Sequence, residues 1–499
     1  MPLTILTRND VKSILLSLSR EQVLKLQSDL ADGLFDYSTG VGASPSNPKF
    51  QPPRTVITRP DGLTTLFMPA SAGPHIGMRV MSAYHVSPTE DDSKRKSHHK
   101  GSVTKTYFPP AYTIDIETGA KGSSITTADA SRQSQAPGSR TASSHRASAD
   151  SSTLNVSTSP TADDGEADDD DMPGTPLETL PESLRGALPD NTVSTSPNGC
   201  ITLLDSTGRP AALINAQELS AFRTALSSSI LFMRRKHVET ITVFGAGRQA
   251  YWHIYLALLL RGEDIKHVNI INRSFDRTTQ LLRDFYHSSR VEWRSNVKFA
   301  TMCRGFVEYD RLVTASVQKA DVIFCCTPSI EPLFKGELLT SGEGRAKGRL
   351  VVAIGSYTPK MVELDPEILK YAVKQHHPSR HRAHVKHALS VGVVVVDCLD
   401  ACLTQCGEVI QAGLEPKQLV EIGELVMVRQ EVKRGIEERE SGMSVEQALS
   451  SEDKQLFQWM RKGIVVFKSV GMGLMDILVG GEILKIAKGM DVGTNIDDF

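Results

Sequence analysis

Residues 239–262 read ETITVFGAGRQAYWHIYLALLLRG: a short apolar run, a glycine turn and then a helical pattern. The turn places Gly245, Gly247 and Ala250 in G-x-G-x-x-A spacing, directly after an apolar run that ends at Phe244. In a dinucleotide-binding unit the first glycine allows a tight turn, the second lets a pyrophosphate approach the backbone, and the third small residue keeps the helix close to the strand. The alternative is a glycine turn that only packs a helix on a strand. The strand–turn–helix context favours dinucleotide binding.

Short apolar runs alternate with polar or helical segments from residue 239 onward. These runs are TITVFGAG, HVNIINR, DVIFCCTP, RLVVAIGSY, VGVVVVDC and GIVVFKSVG. Strands with nearly continuous apolar residues are typical of a parallel sheet that helices cover on both faces. We therefore predict an α/β fold with a Rossmann-type doubly wound parallel sheet over residues 233–474.

A second, α+β domain is predicted from two separate parts of the chain, residues 1–87 and 199–232. The first part opens with apolar residues at helical spacing from Leu3 and continues with two strands around a Pro-Asp-Gly turn, and the second has two strand-like runs and a helix. Residues 475–499 are predicted as a C-terminal helix that returns to this domain. Residues 88–198 are rich in Ser, Thr, Asp, Pro and Gly, and we predict a disordered low-complexity insert to which no function is assigned.

The overall composition narrows the class of protein. The 499 residues carry a formal net charge of −2 and a sequence pI of about 6.7. Net charge therefore gives no reason to expect nucleic-acid or membrane-surface binding. The sequence also lacks the run of about 18 apolar residues that a membrane span requires. Its seven cysteines are odd in number and lack the dense spacing of a secreted disulfide scaffold, which favours a reducing compartment, and we predict a cytoplasmic protein.

Two groups of potential metal ligands are predicted to be structural. Cys398, Cys402 and Cys406 recur every four residues, which places them on one helix face, and core packing explains this spacing better than a metal does. Residues 376–387 contain five histidines in an apparent surface loop, without a converging partner in the sequence. We therefore predict no metal site.

The end of the second strand of the dinucleotide-binding unit indicates which cofactor is preferred. An NAD site usually has an acidic residue there to bind the ribose 2′-hydroxyl. This chain has Asn272, Arg273 and Ser274, with Arg277 one turn further on. A guanidinium and a hydroxyl suit a 2′-phosphate, so we predict that NADP(H) is preferred over NAD(H). The alternative is that the two arginines are solvated helix residues.

Seven motifs occur in one order along the chain. They are PPRTVI followed by LFMPA, ITLLDSTGRPAALINAQELSAFRTA, VFGAGRQA, NR after the second strand, IGSYTPKMVELD, VVVDCLDACLTQCGEV and VFKSVGMGLMD. Together they resemble the ornithine cyclodeaminase/mu-crystallin family. The resemblance implies a Rossmann domain, a substrate and dimerisation domain built from the N-terminal part and the C-terminal helix, and usually a homodimer. It also implies a nicotinamide cofactor that acts on amino acids or imines.

The resemblance also suggests which residues contact the substrate. Arg54 and Arg223 stand where the family places arginines that bind the substrate carboxylate, and Arg79 stands where the family usually has a lysine. Cyclodeaminases carry a glutamate at the position of Leu66 and an aspartate at the position of Tyr357, and the loss of both carboxylates disfavours cyclodeamination. Tyr357 can donate a proton to an imine nitrogen if a neighbouring cation lowers its pKa, or it can simply pack at the strand end. The general acid stays unassigned.

We predict an NAD(P)(H)-dependent oxidoreductase that transfers hydride between nicotinamide and the α-carbon of a small amino acid or cyclic imine carboxylate. The alternatives are an ornithine cyclodeaminase and a catalytically weak NADP-binding or interaction protein. The predicted catalytic residues are Arg54, Arg79, Arg223 and Tyr357. The predicted cofactor contacts are Gly245, Gly247, Arg248, Gln249, Ala250, Asn272, Arg273, Ser274, Arg277, Thr327 and Ser469.

Overall fold

A computed structural model describes residues 2–40, 44–60, 63–84, 198–287, 297–304, 307–374, 392–426 and 460–497. The predicted insert, apart from Asn198, and the His-rich loop 376–387 lie outside these residues.

The described residues form strands and helices in the following order. The strands are β1 (Leu3–Leu6), β2 (Thr55–Thr58), β3 (Leu63–Ala72), β4 (His75–Tyr84), β5 (Asn198–Leu204), β6 (Pro210–Asn215), β7 (Thr240–Phe244), β8 (His267–Asn272), β9 (Lys298–Cys303), β10 (Val322–Cys325), β11 (Leu350–Ala353), β12 (Val393–Val396), β13 (Leu419–Glu421), β14 (Val465–Lys468) and β15 (Thr494–Ile496). The helices are α1 (Arg8–Ser17), α2 (Arg20–Thr39), α3 (Ala216–Phe232), α4 (Arg248–Arg261), α5 (Phe275–His287), α6 (Tyr309–Lys319), α7 (Glu337–Thr340), α8 (Gly342–Ala346), α9 (Pro366–Val373), α10 (Leu399–Gln405), α11 (Gly407–Ala412) and α12 (Gly473–Met490).

The larger sheet is parallel throughout and confirms the predicted fold class. Its strand order is β13-β12-β14-β11-β10-β7-β8-β9. All six apolar runs from the sequence are strands here, and β9 and β13 extend the sheet at its two edges. The strand order reverses between β7 and β10, which is where open α/β sheets bind ligands beyond the carboxyl ends of their strands.

The second sheet is mixed and has the order β15-β1-β6-β5-β4-β3-β2. Strand β1 runs parallel to β6 and antiparallel to β15, while the other pairs are antiparallel. The helical spacing predicted from Leu3 onward is therefore wrong for the first residues, because pairing on both sides draws Leu3–Leu6 into the sheet. The segment predicted only as a closing helix also contributes the strand β15.

Helix α3 joins the two sheets. Every residue of this helix except Gln217 is buried, as expected for a helix packed on all sides. Phe222 meets the edge of Trp252 on α4 with ring centroids 5.3 Å apart, and Phe232 lies 6.3 Å from Phe324 on β10. Aromatic pairs at these separations add to the energy of apolar burial. The cores of the two domains are therefore continuous through α3.

The two ends of the insert meet in the mixed sheet. Strands β4 and β5 are antiparallel neighbours, and Ser82 pairs with Asn198. The strand β5 thus begins at the last residue of the predicted insert, and α12 begins at Gly473, two residues before the predicted boundary. Because the flanking strands are hydrogen-bonded to each other, a short connection can replace the long one.

We propose that residues 90–195 can be removed without loss of the fold. A short Gly/Ser link in their place should raise the free energy of unfolding by about 1–2 kcal/mol, because closing a shorter loop costs less entropy. Chemical denaturation followed by circular dichroism measures this change. A matched deletion that extends back through β4 should not fold, and an unfolded product from the shorter deletion would contradict the proposal.

Candidate active site

A cavity of about 810 Å³ lies at the carboxyl ends of the parallel strands, and the mixed sheet and α3 form its other side. It brings together all of the predicted site residues except Ala250 and Ser274. Those in its wall are Arg54, Arg79, Arg223, Gly245, Gly247, Arg248, Gln249, Asn272, Arg273, Arg277, Thr327, Tyr357 and Ser469.

The glycine turn after β7 has the geometry that an anion-binding loop needs. Gly245 has φ +109°, and a Cβ at this position would lie 2.7 Å from the carbonyl oxygen of Cys326. Gly247 is the N-cap of α4, receives no side-chain hydrogen bond, and has open space where a Cβ would be. The first N–H groups of α4 therefore have no side-chain cap, and a helix N-terminus of this kind favours a negative charge. Gln249 adds a buried Oε1 that has no hydrogen-bond partner.

Three predicted cofactor contacts are engaged elsewhere in the structure. Ala250 is fully buried beneath the turn, outside the cavity wall, so its side chain only lets α4 pack closely. The Ser274 hydroxyl accepts a hydrogen bond from the Arg277 backbone N–H at 3.4 Å and also lies outside the wall. Arg248 lines the cavity, but it donates to Gln217 at 3.1 Å and lies 3.4 Å from Glu218, both on α3.

Arginines surround the cavity beyond the end of β8. Arg273 and Arg277 are exposed and lie in the wall beside Asn272. Arg304, which the sequence did not predict as a site residue, follows the neighbouring strand β9 and also lines the cavity. Its side chain is hydrogen-bonded to Tyr309. The weakly apolar run KFATMC before it gave no clear strand signal.

A cluster of buried charges closes the opposite end of the cavity. Arg223 on α3 donates from Nε to Asp476 Oδ1 at 3.2 Å, and its Nη2 lies 3.1 Å from Oδ2. Arg79 on β4 reaches the same Oδ2 with Nη1 at 3.3 Å, and Ser220 donates to Oδ1 at 2.8 Å. Asp476, on α12, is fully buried. The motif VFKSVGMGLMD contains this residue, but nothing in the sequence indicated its partners.

The guanidinium group of Arg79 keeps capacity for another acceptor, and that of Arg223 lies close to the backbone. Arg79 is buried, its Nη2 has only the weak acceptor Met81 Sδ at 2.9 Å, and its Nε has no hydrogen-bond partner. Burial lowers the pKa of Arg79 to about 10, so the group stays charged near neutral pH. Gly471 has φ +86°, and a Cβ there would lie 2.8 Å from Nη2 of Arg223. Glycine at 471 therefore lets the backbone approach the guanidinium.

The remaining residues at this end are a third arginine and an apolar wall. Arg54 is half-buried, and burial lowers its pKa while the charge of Asp397 opposes that shift. The wall at this end also includes the apolar side chains of Leu66, Met68 and Met81. Tyr357 lines the cavity, and burial raises its pKa. The condition for an acidic phenol, a cation that lowers this pKa, is therefore not met.

Buried carboxylates hold the cavity floor. Glu363 accepts hydrogen bonds from the backbone N–H of Thr327 at 2.7 Å and of Gly355 at 2.6 Å. Asp397 accepts from the Ser469 hydroxyl at 2.6 Å and from the Gly471 N–H at 2.7 Å. Neither carboxylate was predicted as a site residue from the sequence, although each lies in one of the seven motifs.

A buried lysine lies beneath this floor. Lys468 contacts Glu408 at 3.3 Å and donates to Ser356 at 2.6 Å. All three side chains are buried. The lysine charge therefore has a partner and is not available to the cavity.

Among the described residues, no helix has the length and hydrophobicity needed to cross a bilayer. The same residues contain no group of three or more His, Cys, Asp or Glu side chains that could hold a metal ion. The seven cysteines all lie in this part of the chain and are free thiols.

We expect Glu363 to make stability depend on pH. Burial raises its pKa from 4.5 to about 7, although Lys468 opposes the shift. A carboxyl with a raised pKa binds a proton more strongly in the folded chain, so its contribution to stability falls as pH rises from about 4.5 to about 7. Relative to Glu363→Gln, the wild-type free energy of unfolding should fall by about 3 kcal/mol across this interval. Denaturation at about pH 5 and about pH 8 measures it. Glu331→Gln, in an exposed wall residue, is the control, and parallel pH curves for Glu363→Gln and the wild type would refute the assignment.

Comparison with known proteins shows which family the chain resembles. The sequence model of the ornithine cyclodeaminase/mu-crystallin family matches residues 186–418. An uncharacterized cyclodeaminase of Dictyostelium discoideum is 27% identical over 301 residues, which cover 58% of this chain and 70% of that protein. A ketimine reductase mu-crystallin of Macropus fuliginosus is 28% identical over 269 residues, which cover 52% of this chain and 69% of that protein.

A solved structure has the same fold. The Δ1-pyrroline-2-carboxylate reductase of Thermococcus litoralis, in complex with NADH and L-proline, aligns with a TM-score of 0.55 and 15% identity. The alignment covers 99% of this chain and 100% of that chain. Residues 186–418 of this chain are therefore similar to the ornithine cyclodeaminase/mu-crystallin family.

Proposed function

We propose that the protein is an NADP(H)-dependent oxidoreductase that acts at the α-carbon of a small amino acid or cyclic ketimine carboxylate. One observation carries this proposal. A single cavity has an uncapped helix N-terminus at one end and, at the other, a buried arginine whose Nε lacks a partner. The first feature suits a pyrophosphate and the second a carboxylate.

The residues around the glycine turn fit a dinucleotide. We propose that Gly245, Gly247 and the first N–H groups of α4 hold the pyrophosphate, and that Gln249 Oε1 accepts a hydrogen bond from the bound cofactor. Thr327 lies beside the turn, since its Cγ2 is 3.3 Å from where a Gly245 Cβ would be. Ser469 is oriented by Asp397 at the same side of the cavity. A bound nicotinamide would supply or accept the hydride.

The preference for NADP(H) is supported by charge. The described wall beyond β8 contains Arg273, Arg277 and Arg304 and places no carboxylate at the end of that strand. A 2′-phosphate there gains charge-assisted hydrogen bonds, whereas a 2′-hydroxyl has no carboxylate to accept its proton.

Replacing Arg273 by alanine should therefore weaken NADPH binding by about 1–3 kcal/mol and leave NADH binding nearly unchanged. Fluorescence titration with the two reduced cofactors gives both dissociation constants. Arg283→Ala, on the same helix α5 but outside the cavity wall, is the matched control. An equal loss for both cofactors, or a wild-type preference for NADH, would contradict the proposal.

The substrate end fits a carboxylate joined to an apolar group. We propose that Arg79, Arg223 and Arg54 bind the carboxylate, while Leu66 and Met81 contact the carbon skeleton. Arg79 Nε and the weakly satisfied Nη2 are donors without a strong acceptor, and a carboxylate supplies one. The arginines thereby orient the α-carbon toward the cofactor end of the cavity.

Reduction of an imine also requires one proton at nitrogen. Tyr357 stays protonated because burial raises its pKa, so it can donate a hydrogen bond without becoming an anion. We propose that water in the cavity supplies the proton, and that Tyr357 has a packing or orienting role.

The structure also bears on the alternative, ornithine cyclodeamination. That reaction must handle the proton of a side-chain amine and its positive charge. Leu66 and Tyr357 both line the cavity, and Glu331, which is exposed, is the one acidic side chain among the described wall residues. A charged amine beside Leu66 would lose its hydration without gaining a partner. These observations favour reduction of a preformed imine.

An assay on the intact chain tests the choice of reaction. With a cyclic ketimine carboxylate we expect oxidation of NADPH, followed by its absorbance, and little ammonia or proline from ornithine with either oxidised cofactor. Arg79→Met should lose most of the activity because it removes the charge but keeps much of the volume. Efficient formation of proline from ornithine would instead support the cyclodeaminase.

We propose that the protein is a homodimer. Alternate residues of β3 and β4 face away from the buried side of the mixed sheet, and of these Phe67, Met78 and Val80 are half-exposed while Ile76 is 57% exposed. Apolar surface of this kind is typical of a protein interface. Sedimentation velocity distinguishes one copy from two. A cytoplasmic location is also proposed, supported by the seven free thiols.

A further inference from the structure

The buried charges at the substrate end are unequal in number. Arg79 and Arg223 both lie in the cavity wall, and both contact Asp476, which lies behind them and outside the wall. The side chains of the two arginines are 9% and 3% exposed, and that of Asp476 is 0% exposed. One carboxylate therefore faces two guanidinium groups, and one positive charge remains without a partner.

The surroundings do not compensate that charge. The cavity wall next to the cluster includes the apolar side chains of Leu66, Met68 and Met81, and the one acidic side chain among the described wall residues is the exposed Glu331. Arg54 is the third cation there, but it is only half-buried and Asp397 stabilises its charge. A buried charge without a partner is costly, so the cluster is completed by one negative charge from a ligand.

The same balance of buried positive and negative charges disfavours a second negative charge on the ligand. A second carboxylate that lay against the methionine and leucine side chains would lose hydration there without gaining a hydrogen-bond donor from them. If Asp476 were uncharged, the two arginines would present two positive charges, and a second carboxylate would gain a partner.

Building on the function proposed above, we infer that Asp476 is a positioning residue that sets substrate specificity. By cancelling one of the two buried positive charges, it restricts the site to ligands with a single carboxylate. Its two oxygens also fix the Nε and Nη2 edge of Arg223 and the Nη1 of Arg79, which leaves Arg79 Nε for the ligand. The inferred substrate class is therefore an imino or amino acid with one carboxylate and an uncharged, largely apolar remainder.

The test compares two planar ligands that differ by one carboxylate, pyrrole-2-carboxylate and pyrrole-2,5-dicarboxylate. Calorimetric titration measures their binding to the intact protein, so the readout does not depend on turnover. We expect the wild type to bind the monocarboxylate at least about tenfold more tightly. The isosteric change Asp476→Asn should shift the ratio of the two affinities toward the dicarboxylate by about tenfold or more.

Ser220→Ala is the matched control, because it removes a hydrogen bond to Asp476 without changing the charge. It should weaken both ligands alike. If Asp476→Asn weakens both ligands equally, Asp476 has a merely structural role, and this inference fails while the proposed function stands. The inference also fails if the wild type binds the dicarboxylate as tightly as the monocarboxylate, and that comparison does not depend on the folding of any variant. If the wild type binds neither acid, the carboxylate site of the proposed function fails, and this inference fails with it.

Discussion

Backbone groups at the ends of the parallel strands must find partners away from water. The loops after β10, β11 and β14 leave the sheet with N–H groups that no neighbouring strand accepts, and an unpaired buried donor is costly. Glu363 meets this need for Thr327 and Gly355, and Asp397 meets it for Gly471. Because these carboxylates are buried and multiply bonded, the floor of the cavity is fixed before any ligand arrives.

The cavity combines this rigid floor with a wall from a different domain. Arg79 comes from the mixed sheet and Arg223 from α3, and Asp476 on α12 holds both. The three residues are far apart in sequence, yet one carboxylate aligns two cations on the same side of the cavity. Preorganisation of this kind means that little side-chain entropy is lost when a ligand binds. In the function proposed above, the charged groups would bind the carboxylate of the ligand, and the apolar wall would contact its carbon skeleton.

Much of the fold followed from the sequence, because apolar runs such as residues 393–396 leave little choice in a covered parallel sheet. The strands Leu3–Leu6 and Thr494–Ile496 could not be predicted from the sequence, because each is stable only through pairing with residues that are distant in sequence. Short strands of this type carry no periodic signal of their own.

Some residues of the candidate site could also be predicted from the sequence, and others could not. The glycine turn and the positions of Arg54 and Arg223 could be found from motifs. Asp476 lies inside a motif too, but a carboxylate in a sequence does not reveal which cation it meets. Ser274 is predicted to contact the cofactor because its hydroxyl follows β8. In the structure, this hydroxyl instead accepts a hydrogen bond from the Arg277 N–H at the start of α5.

The pairing of β1 with β15 constrains the order in which the protein can assemble during synthesis. Thr4 donates to Asn495 at 2.9 Å, so this edge of the mixed sheet pairs residues that are made 491 positions apart. The parallel sheet, by contrast, is complete once residue 468 has been made. A nascent chain can therefore form its parallel-sheet half before α12 and β15 have been made. Until α12 has been made, Arg79 and Arg223 lack Asp476 and repel each other, so this end of the cavity stays incomplete in the ribosome-bound chain.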